Sequence, residues 1–168
     1  VVVSGPNAGG KTVALKTVGL LALMFHAGIP IPANENSEIP FIKKIFCDIG
    51  DKQSIQNDLS TFSSHLVRIK EILDEVEEKS LVLIDELGTG TDPREGAALA
   101  EAILSELLLK SANAIVTTHL GDLKLFANET KGLQNASMEF NAEALQSTFR
   151  LIQGLPGSSY AFYICRRM

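Results

Sequence analysis

Residues 81–86, Leu-Val-Leu-Ile-Asp-Glu, put two adjacent carboxylates behind four apolar residues. Four apolar residues in a row suit a central parallel strand covered on both faces. Burying neighbouring carboxylates without partners is costly. At the C-terminal end of a strand, facing a magnesium ion, that cost is offset. Asp85 would then bind Mg²⁺ through water, and Glu86 would polarise an attacking water as general base. Such help is worth ~10²–10⁴-fold in rate. Phosphate-loop kinases generally lack the second acid, because their nucleophile is a substrate oxygen, so Glu86 favours hydrolysis. The plainer alternative is a pair of solvated loop acids.

Gly5-Pro6-Asn7-Ala8-Gly9-Gly10-Lys11-Thr12 fits the phosphate-loop pattern G-x-x-x-x-G-K-[ST] in full. Phosphates need several backbone N–H groups pointing inward, and glycine lets the backbone approach closely. A helix that follows adds its positive N-terminal end. Lys11 would reach the β- and γ-phosphates of ATP, and the Thr12 hydroxyl would ligate Mg²⁺. A chance glycine-rich turn is the alternative. The motif is specific for nucleotide phosphate but leaves the protein's task open.

Three weaker signals lie outside these motifs. Residues 88–93, Gly-Thr-Gly-Thr-Asp-Pro, follow Glu86 at once, and their glycines suit close backbone approach; a plain strand-to-helix loop would read alike. Thr117-Thr118-His119 ends the next apolar strand, where a histidine could sense a γ-phosphate. Residues 59–64 open a helix with hydroxyls, which suits an anion or simply a capped helix. His26 and His65 sit on helices without a partner pattern and read as structural.

The elements that must position these groups follow from periodicity. Strands are expected at 1–3, 44–47, 81–84, 114–118, 133–140 and 148–153, the last two joined by a turn at 141–144. Helices are expected at 11–25, 60–78, 94–110 and 121–126, with another beginning at 158. Ser60 reads as an N-cap, and Phe62, Leu66, Ile69 and Leu73 recur at helical spacing. Pro93 marks the start of the 94–110 helix. Residues 71–79 read as a solvated, charge-rich helix face. Gly28, Pro30, Pro32 and Pro40 break the stretch after the first helix. Strands alternating with helices predict an α/β fold with a mostly parallel sheet flanked by helices.

At 168 residues and 18.1 kDa the chain suits one domain, 1–168. A net charge of −5 and a pI near 5.2 argue against a nucleic-acid grip in the bulk of this segment. Cys47 and Cys165 are far apart, which suggests neither a disulfide framework nor a zinc site and fits a reducing, cytoplasmic setting. The longest apolar stretch, 18–27, is far short of the ~20 residues that span a bilayer. A strand that runs straight into the phosphate loop, with no initiator methionine, reads as a piece of a longer protein.

In this order the pieces resemble the MutS family of the ABC ATPase group, most closely its second bacterial paralogue. The stretches GPNAGGKT at 5–12, DIGDKQSIQNDLSTFSSH at 48–65, LVLIDELGTGTDPREGAALA at 81–100 and TTHLGDLK at 117–124 carry the likeness. NASMEF at 135–140 and LPGSSYAF at 155–162 add support. The string DELGTGTDPxEG separates the second paralogue from mismatch-repair MutS proper. The transporter signature LSGGQ is absent.

The resemblance implies an ABC-type P-loop ATPase domain whose site is shared between two facing copies. Ser60 and Thr61 would stand where the signature serine approaches the opposing γ-phosphate. Thr91 and Asp92 would lie in the loop that signals across the dimer, and His119 would be the switch histidine. Phe149 is the candidate ring beside the adenine. The whole protein would be a homodimeric, nucleotide-switched clamp on mismatched or branched DNA that suppresses recombination; stalled ribosomes are a further implied target. DNA contacts, the clamp and the Smr nuclease region would lie outside these residues. The competing reading is a non-hydrolysing module in which ATP only joins two domains. A small-molecule kinase would need an acceptor pocket and an arginine-bearing lid, and neither is evident.

Overall fold

The structure, a computed structural model, describes residues 1–6, 9–50, 58–141, 144 and 146–157, and for 58–61 the backbone alone. In chain order the elements are β1 (Val2–Ser4), α1 (Lys11–His26), β2 (Lys44–Asp48), α2 (Asp58–Glu75), β3 (Ser80–Ile84), α3 (Pro93–Leu109), β4 (Asn113–Thr118), α4 (Gly121–Glu129), β5 (Asn135–Asn141) and β6 (Gln146–Gln153). The strands form one six-stranded sheet in the order β2-β3-β4-β1-β5-β6. All neighbours are parallel except β5 and β6, which pair antiparallel.

Alternation along the central strands decides what each face buries. Leu81 and Leu83 point to the α1 side, where they meet Leu15 and Ala22. Val82 and Ile84 point the other way, into a larger core shared with α2, α3 and α4. That core includes Ile69, Ile72, Leu104, Leu107 and Leu123. Every residue of β3 is buried, as the unbroken apolar run requires. Burying such a side chain contributes roughly 1.5–3 kcal/mol.

The parallel register brings strand ends together. Asp48 pairs with Ile84, Ile84 with Val116, and Ser4 with Thr118. The residues that follow, Gly5, Asp85, Glu86 and His119, therefore emerge along one edge of the sheet.

Several boundaries depart from the periodicity. Ser60 is not an N-cap, because Asp58 and Leu59 before it are already helical. The same helix stops at Glu75, not 78. A turn follows in which Ser80 N–H donates to the Glu77 carbonyl at 3.1 Å and Ser80 Oγ accepts from Glu77 N–H at 3.2 Å. Glu77 then sits beside Lys43 and Lys44 at 3.6 and 3.4 Å, so the charged 71–79 stretch is only partly a helix face. Pro93 lies inside α3, at its first position, and Asp92 is the cap. β5 starts two residues late, after a turn in which Gly132 takes φ 98°. β6 starts two residues early, and its register shifts between Met138 and Phe140. α4 runs on to Glu129. The helix expected from 158 lies outside the described residues.

Candidate functional site

The glycine-rich motif forms the link between β1 and α1. Gly5 takes φ 136° and Gly10 takes φ 87°, both in the region that glycine reaches without strain. Gly9 N–H closes onto the Pro6 carbonyl at 2.9 Å. Gly10 is the N-cap of α1 and supplies no side-chain cap. Asn7 and Ala8 lie outside the described residues.

Lys11 is the first residue of α1 and only 4% exposed. Its ammonium donates to the Gly5 carbonyl at 2.8 Å and the Pro6 carbonyl at 3.0 Å. Burial holds its pKa below the ordinary lysine value, and Lys124 pushes the same way; Glu86 and Asp85 oppose both. The two carboxylates offset part of the cost of burying this cation.

Asp85 is 8% exposed and is held from two elements. Thr12 Oγ1 on α1 donates to its Oδ2 at 2.6 Å. The Thr117 hydroxyl on β4 donates to its Oδ1. Asp85 N–H continues the ladder to the Asp48 carbonyl at 2.9 Å. Both carboxylate oxygens thus accept a hydroxyl, and this satisfies a group that would otherwise be costly to bury.

At Glu86 the chain turns away from the strand with φ 53°. Glu86 N–H donates to Thr117 Oγ1 at 2.8 Å, and Leu87 N–H to the Thr117 carbonyl at 2.8 Å. A non-glycine residue in this region is uncommon and costs on the order of 1–3 kcal/mol. The turn parts the two acids: Asp85 is buried and Glu86 is half-buried.

The remaining expected residues fall as follows. His119 stands exposed just past β4, at the same sheet edge. Ser60 and Thr61 lie in α2, and their side chains are outside the described residues. Thr91 Oγ1 donates to Glu95 at 3.2 Å, and Asp92 Oδ1 accepts from Arg94 and Glu95 N–H at 2.9 and 3.4 Å. Phe149 is exposed on β6 with φ 56°. A Cβ on Gly10 would meet its ring at 3.0 Å, so the phenyl lies on the start of α1. His65 touches the Asp48 carboxylate through Nδ1, one strand from Asp85, and His26 stacks edge-on with Phe25 and Phe41.

Sequence reasoning missed two groups. Thr117 lies in the TTHLGDLK stretch, where only His119 has an expected role, yet it links the two acids. A hydroxyl at the end of an otherwise apolar strand, next to a strand ending in Asp, was the available signal. Ser147 Oγ donates to the Gly9 carbonyl at 2.7 Å, and no spacing rule links residues so far apart.

The family model "MutS domain V" matches residues 1–167. The chain is 58% identical over 167 residues to the Endonuclease MutS2 of Caldanaerobacter subterraneus subsp. tengcongensis, covering 99% of this chain and 21% of that protein. It is 55% identical over 166 residues to the Endonuclease MutS2 of Clostridium botulinum (strain Loch Maree / Type A3), with the same coverage. The Endonuclease MutS2 of Fusobacterium nucleatum subsp. nucleatum is 54% identical over 166 residues, again with 99% and 21% covered. The chain thus spans about a fifth of the length of these curated relatives.

Proposed function

The chain belongs to the MutS domain V family, and on that footing we propose that it binds Mg-ATP at Gly5–Thr12 and hydrolyses it with Glu86 as general base. The observation that carries this reading is the 2.6 Å bond from Thr12 to Asp85. It joins the hydroxyl of the phosphate-loop pattern to the first acid behind β3. A hydroxyl and a carboxylate oxygen in contact are the hard donor set that suits magnesium. Buried Lys11, already desolvated and lying on two carbonyls, supports the phosphate assignment.

When bound, Mg²⁺ would neutralise phosphate charge and lower the electrostatic barrier to attack by water. Thr12 and Asp85 would hold it. Lys11 would leave the Gly5 and Pro6 carbonyls for the nucleotide's phosphates, while Gly9, Gly10 and the start of α1 would offer N–H groups. Glu86 would orient and deprotonate water, its backbone fixed by Thr117. His119 would reach the γ-phosphate from the end of β4. Phe149, lying beside Gly10, would flank the base.

Ser60 and Thr61 would complete the pocket of a facing copy, and Thr91 and Asp92 would carry the signal between copies. In the longer protein this cycle would switch a homodimeric clamp on mismatched or branched DNA, suppressing recombination, with stalled ribosomes a further target. Any endonuclease activity would belong to residues outside this segment.

The deciding experiment uses Glu86→Gln in the natural full-length protein. The variant should bind ATP with near-normal affinity and lose turnover by about 10²–10⁴-fold. Unchanged turnover would remove Glu86 from the mechanism. A wild type that binds ATP and dimerises without turnover would leave only the non-hydrolysing module.

A further inference from the structure

The segment after β6 returns to the sheet and lies between α4 and the end of β1. Gly154 N–H donates to the Asn135 carbonyl at 2.7 Å. Three residues on, both ends of Gly157 are bonded. Its N–H donates to Ser4 Oγ at 2.8 Å, and its carbonyl accepts from Lys124 Nζ at 2.6 Å. Lys124 is itself steadied from β5, since Asn135 Nδ2 donates to its carbonyl at 2.8 Å.

The fit at Gly157 leaves no room. A Cβ there would lie 2.5 Å from the Ser4 carbonyl oxygen and 2.8 Å from Gly5 Cα. Gly157 therefore rests against the junction of β1 and the glycine-rich loop. The Gly5 carbonyl, one bond further, is an anchor of Lys11 at 2.8 Å. A continuous series of contacts runs from Lys124 through Gly157 and the Ser4–Gly5 junction to Lys11.

We propose that Lys124, acting through Gly157, is a positioning residue that braces the phosphate loop and thereby sets its affinity for the polyphosphate part of a nucleotide. The inference rests on the reading of Gly5–Thr12 as a phosphate site. Lys124 holds the strap by a charge-assisted bond, which is about twice as strong as a neutral one. Its positive charge also bears on Lys11 and disfavours a second ammonium there, a penalty that an incoming polyphosphate relieves. The strap ties the chain beyond β6 to the loop, so a disturbance of either is felt by the other.

The test compares wild type, Lys124→Met and Lys124→Arg in the natural full-length protein. It measures the affinity for inorganic triphosphate and the KM and kcat for Mg-ATP. Lys124→Met should weaken triphosphate binding and raise KM by roughly tenfold, the size of one lost charge-assisted contact. kcat should stay within about twofold of wild type, because the residue touches no reacting atom. Lys124→Arg should restore most of the affinity. Loss of kcat in step with melting temperature, unrelieved by arginine, would mark a merely structural lysine and overturn the proposal. So would a Lys124→Met protein that binds triphosphate as wild type does. A wild type that binds no triphosphate would instead overturn the phosphate-site reading, and this inference with it.

Discussion

Thr117 shows how much one buried hydroxyl can settle. It donates to Asp85 and accepts from Glu86 N–H, so both acids share one support. Thr117→Val keeps the shape and strands both partners. It should cost about 1–3 kcal/mol of stability in a urea titration, and Thr117→Ser should recover most of it. Lys11 gives a pH signature. Burial lowers its pKa in the folded chain below the ordinary value of 10.5. Between those two values the unfolded chain binds more protons, so stability of the nucleotide-free protein should rise with pH there. ATP affinity should fall over the same range, as the ammonium is lost. Melting curves and binding titrations from neutral to alkaline pH would show these opposite slopes, and Lys11→Met should flatten the first. Lys11, Thr12, Asp85 and Glu86 belong to local patterns, so the sequence alone makes them legible. Thr117 and Ser147 are not legible in that way, because their partners come from distant parts of the chain. Phe149 is an aromatic candidate by resemblance, but its contact with Gly10 depends on the bulged pairing of β6.

Between β3 and α3 the chain makes a tight turn. Gly88 takes φ 83°, and a Cβ on Gly96 would collide with the Gly88 carbonyl oxygen. A Cβ on Gly88 would in turn lie 2.6 Å from the Gly96 carbonyl oxygen. These two glycines press the loop onto the first turns of α3, while Gly90 rests on Phe62 of α2, where a Cβ would lie 3.2 Å from its ring. The loop thus touches the helix that bears Ser60 and Thr61. Gly96→Ala should cost on the order of 1–3 kcal/mol by overpacking, read as a lowered urea midpoint with an unchanged m-value. The start of α3 is legible within one residue, because Pro93 and Asp92 are local signals. The glycine contact is not, since Gly96 looks like an indifferent helical position until its neighbour is known. Periodicity overextends the 60–78 helix for a similar reason: charge continues past Glu75, but the turn closed by Ser80 does not depend on charge.

For the molecule as a whole, the α/β class and every described strand follow from alternating apolar runs, yet the strand order does not. Nothing in 2–4 says that β1 sits between β4 and β5; that order comes from packing. It matters because it places the glycine-rich loop one strand from Thr117 and His119 and two from Asp85. No described helix is long and apolar enough to cross a membrane. If the site is shared between two copies, ATP turnover per subunit in the full-length protein should rise with concentration and then saturate. A flat profile down to concentrations where the protein is shown to be monomeric would confine the site to one copy. Mg-ATP at a hundredfold excess over Kd should stabilise the same preparations by about 2.7 kcal/mol, seen as a higher melting temperature.

The clasp between Gly88 and Gly96 has a genetic corollary. Any single-base missense change in a glycine codon adds a side chain, so both positions are intolerant by construction. A collision at Gly96 also has no reciprocal remedy. The opposing atom is a main-chain oxygen, and its residue is already the smallest available. Suppressors of a Gly96 lesion should therefore arise elsewhere, at residues that let the loop or the start of α3 shift, and never as an exchange across the contact itself.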